Sequence, residues 1–369
     1  MALQPAPFSS FVGNASSTTL FTSFVGNASS TTLFSSFVGD ASSTTAAVFM
    51  IGELSACVAD RVRAFGASSA LDTHVLLDPK FAVDEGLVAA LSSDGIYVAS
   101  QPAAPASMLT FGDANHATGS SGNTKPSFLT WLLAQKRYAH AWHLEDDVFF
   151  SGAWHNLVRD PRLREDADLV AHLEDKGPWW SHWPLSSEAQ YGECRLAAGR
   201  ACRDYAPNAT QTFWPLLRMS RAYAQRLAAA FDAGATGHHE LLTGSLCLAS
   251  PEWCSVQPLP PDRVGLFVLG GWVNETHNFD CALRGTMRAE RLASSDVATR
   301  GEDFGDATGL PCADPLARRP EDAPPEWRCR LYHPNKCRLQ NESGGLALAW
   351  AATASDGCPS EMSVPSLDY

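Results

Sequence analysis

The chain has 369 residues, 45% of them hydrophobic and 18% charged, and a net charge of −13. That length fills one large domain or two small ones, and the acidic balance excludes a general nucleic-acid or anionic-membrane binder, because neither polyanion would be attracted. An anionic ligand therefore needs a divalent cation or a basic patch to reverse the sign locally.

The first 45 residues repeat with a thirteen-residue period marked by Phe8, Phe21 and Phe34: "FSSFVGNASSTTL", "FTSFVGNASSTTL", "FSSFVGDASSTT". Ser, Thr, Gly and Asn dominate, and the period is too short for the common solenoids, so residues 1–45 are expected to form a flexible tail without chemistry. From residue 46 the texture changes. "AAVFMI" predicts a buried strand, and "SACVADRVRAFG" a helix capped by Ser55, striped by Val58, Val62 and Phe65, and ended by Gly66. "THVLLDP" and "GIYVAS" predict two more strands, and "PSFLTWLLAQKRY" a helix opened by Pro126. It leads into "AHAWHL", a strand ending at Glu145, Asp146 and Asp147.

Further on, "ADLVAHL" (167–173) predicts a strand, and "PLLRMSRAYAQRLAAAFDAG" a strand followed by a helix capped by Ser220. "GHHELLTGSLCLA" has a short helical pattern and "RVGLFVLGGW" that of a late strand; beyond about residue 282 the chain turns polar, Pro-rich and irregular. Strands alternating with helices indicate an α/β fold with a parallel sheet, in which ligands bind outside the carboxyl ends of the strands. The acidic triplet is expected at such an end. Three adjacent carboxylates repel one another, and burial raises that cost. Hard cations such as Mn²⁺ or Mg²⁺ prefer carboxylate oxygens and keep positions open for water and phosphate. The bland alternative is a solvated turn, and the preceding Trp142 and His143 tilt the reading toward metal.

Ten cysteines include no CxxC pair, which gives a structural zinc site little support. Cys194/Cys202, Cys247/Cys254 and Cys329/Cys337 are spaced for short disulfide loops in an oxidising compartment. Five N-x-S/T sequons, at Asn14, Asn27, Asn208, Asn274 and Asn341, agree with secretory passage to the Golgi lumen or outside. No apolar run reaches the length of a transmembrane helix, and "MALQPAPFSS" lacks the features of a signal peptide. A cytosolic location stays open on that ground, and a missing first segment would reconcile the two signals.

"YAHAWHLEDDVFFSGAW" resembles the strand and metal motif of nucleotide-diphospho-sugar transferases, the glycosyltransferases of the GT-A fold. The flanking order "VFMI", a helix, "DTHVLLDP", another βα unit and the acidic motif is similar to theirs. The similarity continues through "WPLLRMSRAYAQRL", "GHHELLTGSLC" and "RLYHPNK". It covers roughly residues 46–336 and implies one GT-A-like α/β domain, a mostly parallel sheet flanked by helices, followed by an irregular tail at 337–369. The motif departs from strict D-x-D in having Glu145 first.

The resemblance implies a nucleotide-diphosphate sugar as donor, a glycan, glycoprotein or glycolipid as acceptor, and Mn²⁺ or Mg²⁺ as cofactor. It makes Asp147 the leading metal ligand, with Glu145 and Asp146 reaching the metal, its waters, or ribose and sugar hydroxyls. His333 would complete the metal shell, unless it is a turn histidine fixed by Pro334, and Lys336 would meet the diphosphate. An inverting transferase also needs a carboxylate to take the acceptor's proton. Glu240 in "GHHE" is typed for that, with His238 or His239 as alternative base or ligand; a first-turn carboxylate favoured by the helix dipole is the plain alternative. In "GPWWSHW", Trp179, Trp180 and His182 offer a platform for an acceptor sugar, against ordinary core packing. Arg218 reads as structural. The competing functions are a metal-dependent hydrolase, whose HxH or HExxH patterns are absent, and a non-catalytic sugar-binding module or decayed transferase.

Overall fold

The computed structural model describes residues 45–108, 124–174, 195–196, 200–201, 210–236, 239–264, 328–329, 331–332 and 358. The repeat up to residue 44 lies outside them, as do the late strand beyond Val264 and most of the C-terminal segment.

Strand β1 (Thr45–Ile51) leads through Ser55 into helix α1 (Ala56–Ser69). The Ser55 hydroxyl accepts from the Val58 amide at 3.3 Å, the expected N-cap. The helix does not stop at Gly66. It runs three residues further and closes with Ala70 in the left-handed region (φ 55°). Tertiary contacts hold that extra turn: the Ser68 hydroxyl accepts from the Trp154 amide, and Arg159 donates to the Ala70 carbonyl at 2.7 Å. β2 (Asp72–Leu77), α2 (Glu85–Ser93, capped by Asp84) and β3 (Tyr97–Ser100) follow. Then come α3 (Thr124–Ala134), β4 (His140–Glu145), β5 (Phe149–Phe150), α4 (His155–Val158) and β6 (Leu169–Glu174). β7 (Arg195–Leu196) and β8 (Arg200–Ala201) pair with each other, antiparallel. β9 (Gln211–Ser220) passes directly into α5 (Arg221–Asp232), capped by Ser220, whose hydroxyl accepts from the Tyr223 amide at 2.9 Å. A short 3-10 turn at Ala106–Met108 lies between β3 and α3, and α6 (His239–Leu248), β10 (Val256–Pro258), α7 (Pro261–Val264) and β11 (Leu331–Tyr332) follow α5. Arg263 and Val264, read as the start of the late strand, therefore end a helical turn.

Seven strands form one sheet in the order β10-β6-β9-β4-β1-β2-β3. Neighbours are parallel except for β9, which runs antiparallel to both β4 and β6. The expected class, a mostly parallel α/β sheet flanked by helices, is the observed one; the reversed strand is the feature that strand-helix alternation did not announce. Pro215 lies in β9 where its register with β6 shifts, between Ala171 and Leu173. A proline has no amide to give a regular ladder, so an irregularity is where it fits.

The period-2 alternation of the strands divides the core in two. Ala46, Val48 and Met50 of β1 face one layer with α3, α5 and α6, while Ala47, Phe49 and Ile51 face the other with α1 and α4. β4 sits in the middle of the sheet, between β1 and β9. Its end is thus framed from both sides.

Two expected disulfides meet different fates. Cys247 pairs with Cys254, as the spacing predicts. Cys329 pairs with Cys358 and not with Cys337. The Cys329 amide donates to the Ser151 carbonyl at 2.8 Å, and its side chain is buried in the layer on which Cys358 packs. Folding over β5, not nearness in sequence, sets that pairing. Cys57 is disulfide-bonded too; Cys194, Cys202 and Cys337 lie outside the described residues.

Candidate active site

β4 ends at Glu145, and the backbone turns at once, the Val148 amide donating to the Glu145 carbonyl at 3.3 Å. The three carboxylates occupy that turn at the carboxyl end of the central strand, as expected. Two cations from flanking helices answer part of their repulsion. Lys125, second residue of α3, holds Glu145 with its ammonium 2.5 Å from Oε1, and both side chains are about one-fifth exposed (18% and 21%). Arg61 of α1, itself buried, donates to the Asp146 carbonyl at 3.0 Å. Asp147 is 3% exposed, so its carboxylate is carried inward with the turn.

Trp142 and His143 do not belong to the site. Both are fully buried, on opposite faces of β4. His143 packs edge-on against Phe128 and Trp214 at 5.0 and 5.2 Å between ring centroids, and burial lowers its pKa to about 3, which keeps it neutral. Alternation explains their placement, and the weight they lent to a metal reading falls away. Arg218 is buried on β9 and donates to the Arg164 carbonyl, a structural contact such as the sequence suggested.

Glu240 lies in the first turn of α6. That turn is fixed to β9: the Trp214 indole donates to the His239 carbonyl at 3.2 Å and to the Thr243 hydroxyl at 3.0 Å. The register pairs Leu144 with Leu216, so Trp214 lies on the stretch of β9 running past the end of β4. Its ring meets His143 on one side and His239, at 5.9 Å, on the other. The start of α6 and the acidic turn are therefore at the same end of the sheet. Gly244 lets the helix come this close, since a Cβ there would stand 2.3 Å from the Thr212 hydroxyl.

A third segment arrives by strand pairing. β11 is antiparallel to β5, with Tyr332 opposite Phe149, two residues beyond Asp147. The described strand stops one residue short of His333. His333, Lys336, His238, Trp179, Trp180 and His182 all lie outside the described residues.

Lys125 and Asp78 escaped the reading of the sequence. Asp78, 6% exposed, follows β2 at the same end of the sheet, its amide donating to the Ile51 carbonyl at 2.8 Å. The "LLDP" after a strand was its signal, as a lysine opening the helix before the acidic strand was that of Lys125. Among the described residues no group of three or more His, Cys, Asp and Glu surrounds a point where a metal would sit. A hard cation of the Mg²⁺ type needs only one or two carboxylates when substrate phosphates and water fill the rest. Buried Asp147 beside Asp146 and Glu145 fits that demand in donor type.

No protein-family model matches this chain, and no curated protein matches it. Among solved structures it is similar to the galactosyltransferase LgtC in complex with donor and acceptor sugar analogues, at 13% identity and a TM-score of 0.35, over 59% of this chain and 74% of that one. It is also similar to glucosyl-3-phosphoglycerate synthase of Mycobacterium tuberculosis in complex with Mn²⁺, UDP and glucosyl-3-phosphoglycerate, at 11% identity and a TM-score of 0.32, over 58% and 68%. The bifunctional glycosyltransferase WbbM matches at 12% identity and a TM-score of 0.34, over 61% of this chain and 40% of its own. Likeness at this level carries no argument, and the functional reading rests on the chain's own residues.

Proposed function

We propose that the protein is a metal-dependent glycosyltransferase that moves a sugar from a nucleotide-diphosphate donor to an acceptor hydroxyl, with inversion at the sugar carbon. The observation that carries this reading is a carboxylate triplet at the carboxyl end of the central strand, with Asp147 buried in the turn and Lys125 beside it. A chain of net charge −13 needs such local cations to receive a diphosphate. Asp147 is the leading ligand for Mn²⁺ or Mg²⁺, and Asp146 and Glu145 face its waters or the donor hydroxyls. Glu145 stays oriented by Lys125. When bound, the metal supplies the positive charge that stabilises the leaving nucleoside diphosphate. His333 and Lys336 follow directly on β11 and are proposed as further metal and diphosphate contacts. Glu240 takes the acceptor proton, and His238, His239, Trp179, Trp180 and His182 bind the acceptor. Paired cysteines and the sequons support a place in the secretory pathway.

A screen of nucleotide sugars, with and without Mn²⁺, tests the proposal. Metal-dependent donor binding followed by release of the nucleoside diphosphate is the expected result. Binding of free sugars without any need for nucleotide would instead make the protein a sugar-binding module, and indifference to sugar nucleotides would favour a hydrolase.

A further inference from the structure

The opposite end of the sheet holds a cavity of about 320 Å³, lined by His155, Asn156, Arg159, Asp160, Arg162 and Arg263, with Cys358 at its wall. Arg159 donates to the Ala70 carbonyl, and His155 Nδ1 lies 3.1 Å from the Ser68 carbonyl, which sets the cavity against the C-terminal end of α1. The fourteen residues of α1 lead from the carboxyl end of β1 to the amino end of β2, so roughly 20 Å of helix separates this cavity from the acidic turn.

Its lining is rich in donors. Asp160, 3% exposed, already accepts from the Arg162 amide, Nε and Nη2 at 3.0, 2.8 and 2.6 Å, and from Arg263 Nε at 3.3 Å. Asp262 behind it is engaged by Arg162 and Arg263 at 2.9 and 3.5 Å. Among the described residues two carboxylates thus face three guanidinium groups, which leaves one positive charge in a strongly acidic protein.

We propose that this cavity is a second binding site, for a small molecule bearing a phosphate or sulfate group. Guanidinium forks match the oxygens of such groups, and charge-assisted hydrogen bonds are the strong ones. The volume stands at the lower end of the roughly 300–1,000 Å³ typical of ligand sites, more than a bare oxyanion needs, so a small organic body is accommodated with it. The site is independent of the acidic turn and of the transfer reaction.

Titration calorimetry on the full chain, in low-salt buffer without divalent metal, tests this with inorganic phosphate, inorganic sulfate and a sugar phosphate as separate probes. Saturable binding of at least one probe is expected, weakened roughly tenfold or more by Arg159→Gln, largely retained by Arg159→Lys, and unchanged by Asp147→Asn. Arg159→Gln also removes the hydrogen bond to the Ala70 carbonyl, so its circular dichroism spectrum is compared with that of the native chain, and Arg159→Lys, which keeps the charge, separates a lost anion contact from a loosened end of α1. Preference for phosphate or for sulfate identifies the group carried by the natural ligand. Absence of saturable binding with all three probes, or binding that survives Arg159→Gln undiminished, overturns the proposal.

Discussion

Lys125 and Glu145 meet at 2.5 Å with only about one-fifth of each side chain exposed. Taking the lysine away leaves a half-buried carboxylate beside two others, and the loss of one partner from such a pair is more costly than the pair is favourable. Lys125→Met is therefore expected to destabilise the fold by about 1–3 kcal/mol in urea unfolding. Glu145→Gln in the same chain should return most of that loss. If the double variant is no more stable than Lys125→Met alone, the ion pair is not what balances the triplet. Glu240 poses the catalytic question at the same scale. Glu240→Gln keeps shape and hydrogen bonding but cannot take a proton at neutral pH. Sugar transfer should fall by roughly two to four orders of magnitude, while donor binding, which the proposal assigns to Asp147 and its neighbours, persists. A variant that transfers sugar at the normal rate would remove Glu240 from the chemistry and with it the inverting mechanism.

α6 approaches β9 so closely that only a glycine fits at position 244, where an added Cβ would stand 2.3 Å from the Thr212 hydroxyl and 2.6 Å from Thr210 Cγ2. Alanine normally favours a helix by about 1 kcal/mol over glycine. Thr212 on β9 and Thr210 just before it are both buried and have little room to retreat, so the clash wins, and Gly244→Ala should lower stability by about 1–3 kcal/mol in the same urea assay. An unchanged or raised midpoint would mean that helix and sheet are less tightly joined than described. The helix itself was legible in "GHHELLTGSLCLA"; its contact with β9 was not, because a glycine within a helical pattern does not say what approaches it. The same divide runs through the whole chain. Ser55 and Ser220 announced their helices, since a cap is a local event. The acidic turn could be placed at a strand end from the apolar run before it. The reversed direction of β9, the ion pair of Lys125 with Glu145 and the Cys329–Cys358 bond all join residues far apart in sequence. Local patterns carry no record of them. Gly66 misled for the converse reason: contacts from Trp154 and Arg159 extended a helix that its own sequence would have ended.

Three histidines shape the response of the molecule to acid. Burial lowers the pKa of His74 to about 4 and that of His143 to about 3, and lowers that of His140 as well. Below pH 6.5 the unfolded chain takes up protons that the folded chain refuses, so stability is complete above that pH and falls as the pH drops toward 4 and 3. Each fully buried histidine contributes a slope of up to about 1.4 kcal/mol per pH unit within that window. Urea midpoints measured at pH 7, 6 and 5 should decline progressively; a flat profile would show that these rings take up protons while folded. The central claim, that the end of β4 receives a divalent metal together with a nucleoside diphosphate, has a more direct test. Mn²⁺ affinity is measured in the presence of UDP for the native chain and for Asp147→Asn. The substitution is nearly isosteric but removes the charge that a hard cation requires. The account predicts saturable Mn²⁺ binding that depends on the nucleotide in the native chain, and loss of it in a variant that stays folded. Equal Mn²⁺ affinity in the two proteins would contradict it.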